Sequence, residues 1–191
     1  AEVYPDQHVE DAQFHIYRLL KAVLRTADRF SALSEPQGHA LIGMLALTGR
    51  LDGRTGGAAL VDVIPCGLDA HAPAADIAEG RAMARGRLGY GDGDFVVAWS
   101  GSYNTWMDAE TLFAGLERAM SASPRIRFLS TGGGTPGYNE DIYCKFGARV
   151  AASPYRDRFD LRGWAPKQEA ESLQMAADAG INIDRWTYEA V

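Results

Sequence analysis

The residues best placed to do chemistry in this chain lie in turns that follow short apolar runs. Gly101 to Met107 follows Phe95–Ser100, and Thr131 to Gly137 follows Arg125–Ser130. Gly163 to Pro166 follows Phe159–Arg162, and Asp184 to Glu189 follows Ala179–Ile183. Two of these turns are glycine-rich, which lets backbone N–H groups approach an anion closely. Helix starts near Asp108 and Pro166 add a dipole that favours phosphate. The chemistry on offer is therefore the holding of an anion, with no nucleophile in evidence. Arg81, Arg85 and Arg87 could also bind phosphate, but a solvated helix face is the better account of them.

Several familiar sites are excluded on detail. Gly101-Ser102-Tyr103-Asn104-Thr105-Trp106 is not G-x-G-x-x-G, and the next run ends in Ser130-Thr131 rather than a ribose-binding carboxylate. No Gly-Lys-Ser/Thr follows a glycine loop, and no G-x-S-x-G elbow occurs. His8, His15, His39 and His71 form no spaced cluster with Cys66, Cys144 or carboxylates, so no metal site is expected.

The elements that must position these turns follow from periodicity. Phe95 to Trp99 is too short for a free helix and reads as a strand buried on both faces of a parallel sheet. Asp108 caps a helix to about Met120 with Leu112, Phe113, Leu116 and Met120 inward. Asn139 opens a helix through Phe146, and Pro166 opens another to about Ala177. Earlier, Val9 to Ala27 carries one apolar stripe (Val9, Ala12, Ile16, Leu19, Leu20, Val23, Leu24, Ala27), with His15 and Arg18 off it. Asp28–Leu33 reads as a strand. Ser34 with Pro36 and Gln37 starts a helix that stops at Gly49, and Leu60–Ile64 reads as a second buried strand. Asp69 to Pro73 reads as a linker, Ala74 to Leu88 as a helix, and Gly89–Gly93 as a boundary. Alternating strands and helices predict an α/β fold: a Rossmann-like parallel sheet flanked by helices. Its ligands sit beyond the carboxyl ends of the strands.

With 191 residues and net charge −6, neither nucleic acid nor an anionic membrane is an expected partner. The longest apolar run, Leu41 to Leu47, is far short of a membrane span. Two solitary cysteines fit a cytoplasmic protein.

The order of motifs resembles the GT-B glycosyltransferases of the group 1, or family 4, type. Pro65-Cys66-Gly67-Leu68-Asp69 resembles the family's P-x-G-x-D approach to its linker. Phe95–Gly101, then Trp106-Met107-Asp108 leading to Leu112, resembles the first strand, glycine turn and helix of its donor domain. Arg127–Gly133 resembles the second strand and its G-x-G turn, and Leu161–Trp164 the F-x-G strand end. Ala177-Asp178 with Glu189 resembles the approach to E-x7-E. The resemblance implies the GT-B C-terminal domain, incomplete. Residues 1–68 would end an acceptor-side domain, 69–93 would be linker and connecting helix, and 94–191 a truncated nucleotide-sugar-binding domain.

The implied activity is transfer of a sugar from a nucleotide-sugar donor to an unknown glycan or small-molecule acceptor, without cofactor or metal. The implied donor-binding residues are Gly101, Ser102, Gly132, Gly133, Gly163, Trp164, Lys167 and Glu189. Gly101 would lie against the diphosphate and Glu189 would accept from sugar hydroxyls. Gly163 and Trp164 would lie near the base, with Trp164 either a stacking surface or a core aromatic. No catalytic residue is assigned. Ser102 to Met107 holds neither the Arg nor the Lys that the family commonly places there, and Lys167 is the substitute at hand. The chain alone is expected to be inactive and to self-associate through exposed edges. Alternatives are a non-catalytic binding or scaffold domain of the same fold, and a nucleotide-sugar 2-epimerase.

Overall fold

The computed structural model of the chain describes residues 9–53, 60–67, 77–135 and 140–185. The chain divides near residue 72 into two compact units. The first contains α1 (Val9–Thr26), β1 (Phe30–Ala32), α2 (Glu35–Leu47) and β2 (Val61–Val63). β1 and β2 pair in parallel, Phe30 opposite Val61 and Ala32 opposite Val63. Ser34 caps α2 as expected, its Oγ accepting from the Gln37 N–H at 3.4 Å. Gln37 reaches back to the Leu33 N–H at 3.1 Å, one residue earlier than an ordinary capping box. α2 lies close on the sheet at Gly38, where a Cβ would stand 3.3 Å from a Val63 methyl.

Two expectations fail in this unit. The apolar stripe of α1 exists but is not covered: Leu24 is buried, whereas Leu19 is 68% exposed and Ile16, Leu20 and Val23 are also exposed. The strand at 60–64 is present as β2, yet Asp62, Val63 and Ile64 are exposed. The reason is the same in both cases. A two-stranded sheet with α2 as its one packed helix among the described residues offers too little surface to bury either face.

The second unit runs α3 (Ile77–Leu88), β3 (Phe95–Ser100), α4 (Ala109–Ala122), β4 (Ile126–Thr131) and α5 (Glu140–Ala152). A 3-10 turn at Arg156–Arg158 then leads to β5 (Phe159–Leu161), α6 (Lys167–Gln174) and β6 (Ala179–Gly180). The four strands form one parallel sheet in the order β5-β4-β3-β6. The α/β class and the Rossmann-like parallel sheet are thus as the pattern predicts. α5 extends past Phe146 to Ala152, and α6 stops at Gln174, short of Ala177.

Alternation along β3 explains the layers. Trp99 points to one face and joins Leu112, Phe113, Leu116 and Met120 of α4, with Phe128 of β4 and Phe146 of α5. Val96 points to the other face and joins Leu129 and Leu173. The fully buried Val96, Phe128 and Leu129 each contribute about 1.5–3 kcal/mol by leaving water.

The arginines of α3 do not form the solvated face that their spacing suggests. Arg85 is 8% exposed. Its guanidinium donates to the Ala176 carbonyl at 3.1 Å, Asp178 at 3.2 Å, the Gly91 carbonyl at 2.7 Å and the Asp94 carbonyl at 2.6 Å. Arg81 donates to Asp178 and, at 2.6 Å, to the Ala177 carbonyl. Asp178 also accepts from the Val96 N–H at 2.7 Å. Arg87 alone remains exposed, 3.9 Å from Glu169. A planar fork with several donors can serve three carbonyls from two segments at once, which is why arginine stands at position 85.

Burial pushes the Asp178 carboxyl up, but the Val96 N–H and the two guanidiniums outweigh it and hold it below the usual carboxylate range. With a folded-state pKa below the unfolded one, this stabilisation is present above about pH 4 and is lost as pH falls through the folded value. Arg85→Ala should lower the unfolding free energy by about 3 kcal/mol, because buried acceptors lose their donor. Arg85→Lys should recover little of that, since an ammonium cannot span the same carbonyls. Urea denaturation followed by circular dichroism checks both. Repeated between pH 5 and 3, the same titration should show a shallower loss of stability for Asp178→Asn than for the parent chain.

Candidate functional site: the carboxyl edge of the larger sheet

Because β3, β4, β5 and β6 are parallel, their following turns emerge at one edge. Those turns are tied to one another. Gly101 N–H donates to the Thr131 carbonyl at 3.0 Å, and Tyr103 N–H to the Gly133 carbonyl at 3.0 Å. Gly132 N–H donates to the Gly163 carbonyl at 2.7 Å, and Arg185 N–H to the Trp106 carbonyl at 2.7 Å.

Gly132 has φ +126, a backbone region that side chains rarely adopt. A Cβ there would overlap the Gly101 carbonyl oxygen and lie 2.8 Å from its carbon. Glycine at 132 is therefore required by the approach of a neighbouring turn. The direction in which Gly101 would carry a Cβ is likewise occupied from within, by the Trp99 indole at 3.4 Å.

Tyr103 anchors the first turn. It is fully buried, and its hydroxyl shares a 2.8 Å hydrogen bond with Ser130 Oγ. Its ring meets Trp99 and Tyr143 edge-on. Burial pushes the phenol well above its ordinary range, against the opposing pull of the Ser130 bond. Beside it, Ser100 Oγ accepts from Thr131 Oγ1 at 3.0 Å and from Gln174 Nε2 at 2.8 Å. A cavity of about 540 Å³ opens there, lined by Ser100, Gln174, Asp178, Gly180 and Asn182 among others. It lies between β3 and β6, where the strand order reverses. Sequence reasoning singled out neither the Tyr103–Ser130 pair nor Ser100, Gln174 and Asn182. The reversal of strand order was the signal for the cavity, and it needs the pairing of β6 to be known.

The turns that contain Gly101, Ser102, Gly132, Gly133, Gly163 and Trp164 are brought together. Ser102 Oγ lies 3.5 Å from Thr135 Oγ1. Gly133 backs onto Trp164, where a Cβ would stand 3.4 Å from the indole. Gly163, at φ +67, takes the left-handed backbone conformation that glycine favours. Trp164 is 59% exposed, so it is not a core aromatic. Its Nε1–H donates to the Gly134 carbonyl at 2.7 Å, which fixes the indole at the rim. Lys167 sits at the start of α6, with Nζ 3.6 Å from Glu171. Glu189, Gly137 and Asn139 lie outside the described residues.

The two helix starts differ. Asp108 occupies the first turn of α4, accepting from the Thr111 N–H at 3.0 Å and the Thr111 hydroxyl at 2.7 Å. Those two bonds, and more weakly Arg185, hold its carboxyl below the usual range against burial. That helix start already holds its own anion. α6 begins at Pro166 with no side-chain cap.

The N–H groups of Gly101, Tyr103 and Gly132 are spent between turns. Those of Ser102, Gly133 and Gly134 have no acceptor among the described residues. These are donors the rim can offer an anion. Gly132→Ala should cost at least about 2 kcal/mol of stability, from steric overlap in a strained backbone region. Chemical denaturation checks this, with Gly115→Ala on the open face of α4 as a tolerated control.

No family model and no curated protein matches the chain. Among solved structures, it resembles sucrose-phosphate synthase from Thermosynechococcus elongatus with a TM-score of 0.60 and 22% identity, over 91% of this chain and 40% of that one. It also resembles the catalytic domain of starch synthase IV from Arabidopsis thaliana, bound to ADP and acarbose, with a TM-score of 0.63 and 14% identity, over 85% of this chain and 36% of that one. The chain thus spans well under half the length of either protein. At such identities the likeness is one of architecture: the chain has the fold of the GT-B glycosyltransferases.

Proposed function

We propose that this chain forms the donor-binding side of a glycosyltransferase of the group 1, or family 4, type. The donor is a nucleotide sugar, and the acceptor is a glycan or a small molecule. The observation that carries the reading is the gathering of four post-strand turns at one edge, with the N–H groups of Ser102, Gly133 and Gly134 left without acceptors among the described residues. Backbone donors and the Ser102 hydroxyl suit a diphosphate lying across Gly101, Gly132 and Gly133. Trp164, exposed and fixed by Gly134 beside Gly163, suits a stacked nucleobase. Lys167 stands at the uncapped start of α6, and Glu189 would receive sugar hydroxyls.

On this reading residues 1–68 belong to the acceptor side, 69–93 to the connection, and 94–191 to the donor side. Cys66 and Cys144, both exposed and unpaired, fit the reducing cytoplasm. The absence of Lys and Arg from Ser102 to Met107 favours a second reading, a domain of this fold that binds without transferring.

Calorimetry of the chain with UDP-, GDP- and ADP-sugars should show saturable binding of at least one. No binding to any of them defeats the proposal. Trp164→Ala should weaken that binding about tenfold, the worth of one stacked base.

A further inference from the structure

The rim is poorly endowed with positive charge for a diphosphate. The turn from Gly101 to Met107 holds no cation. Arg162 is committed to Asp160, at 2.7 Å from both Nε and a terminal nitrogen. Lys167 lies 3.6 Å from Glu171. Two carboxylates, Asp108 and Asp184, stand among the same turns, and Asp108 is ionised by its helix-capping bonds. Phosphates entering such a rim would meet net repulsion unless a cation answered them.

Arg185 is that cation by position. The segment after β6 is strapped against the end of the first turn by two backbone bonds. Arg185 N–H donates to the Trp106 carbonyl at 2.7 Å, and Asp108 N–H donates to the Ile183 carbonyl at 3.2 Å. Between them Met107 and Asp184 form an antiparallel bridge. The Cα of Arg185 is therefore fixed beside the turn that lacks a cation of its own. Its side chain is exposed and makes no hydrogen bond or ion pair among the described residues, with Asp108 near enough to feel its charge without pairing with it. It is the one cation of these turns, among the described residues, in that condition.

We propose that Arg185 supplies the phosphate-binding charge of this rim, reaching across from the β6 turn to the mouth of the Gly101–Met107 turn. The assignment rests on the nucleotide-sugar reading above. A guanidinium suits the task because its planar fork can engage two phosphate oxygens together and stays charged at any working pH. Anchoring through the backbone leaves all of its side-chain donors for the ligand. It also places the charge on a different strand's turn from the one where the family resemblance looks for it.

The test is calorimetry on the full 191-residue chain with UDP, GDP and ADP, and with the matching nucleosides. Arg185→Gln should weaken the diphosphate about tenfold and leave the nucleoside unchanged, the loss expected of one charge-assisted contact. It should also flatten the fall of affinity between about 50 and 200 mM salt. Arg185→Lys should recover part of the loss. Arg118→Gln, at an exposed arginine on α4 with no ion pair among the described residues, should behave as the parent chain. Unchanged diphosphate affinity in Arg185→Gln overturns the assignment while the nucleotide reading stands. Equal weakening of nucleoside and diphosphate also overturns it, because the residue would then be acting on the turn and not on phosphate. If the parent chain binds none of the three diphosphates, the nucleotide reading fails first and takes this one with it.

Discussion

At the carboxyl edge of the larger sheet, the Gly101 carbonyl and the Gly132 α-carbon stand so close that only a hydrogen fits between them. β3 and β4 pair through six consecutive residues in strict register, so their turns leave the sheet one inter-strand spacing apart, about 4.8 Å. Two turns that diverged would leave a gap between strands and no shared surface. Instead Gly132 bends back across Gly101 and hands its own N–H to Gly163. Each turn thereby becomes the support of the next, and the rim is built of backbone held against backbone.

The two ends of this sheet are managed by opposite chemistries. At the amino end a charged knot holds: Arg81 and Arg85 of α3 close on Asp178, which also receives the Val96 N–H of β3. Arg127 and Asp94 add a further pair at 2.8 Å. At the carboxyl end the joints between turns are neutral, made of peptide groups, hydroxyls and one phenol. The ion pairs near that end, Arg162–Asp160 and Lys167–Glu171, lie on side chains that flank the turns, so none of the joints between turns has to break to admit a charged ligand. Arg185 fits that division, as a charge held in place by its backbone and left unspent at its tip.

Much of this was legible in the residues. Phe95–Ser100 was short, apolar and bounded by glycine, and it is one of the two inner strands of the sheet. Asp108, Leu112, Phe113, Leu116 and Met120 announced both the cap and the buried face of α4. The gathering of the turns followed from the parallel alternation alone. Other features depended on partners distant in sequence. Arg85 reads as a surface residue until Ala176 and Asp178, some ninety positions away, are folded over it. Tyr103 reads as a loop residue until Ser130 shares a hydrogen bond with its hydroxyl. The α1 stripe shows the converse: amphipathic spacing says which side of a helix is apolar, and says nothing about whether a surface is there to meet it.

The buried phenol of Tyr103 has a kinetic consequence. A seven-residue turn left free would surrender about 1–2 kcal/mol of backbone entropy per residue on closing around a guest. Here the turn is pegged to the core during folding, so that ordering is complete before any encounter. On the proposed reading, recognition at this rim is of the lock-and-key kind, with the rate of capture set by diffusion and charge and little of the contact energy consumed in reshaping the host.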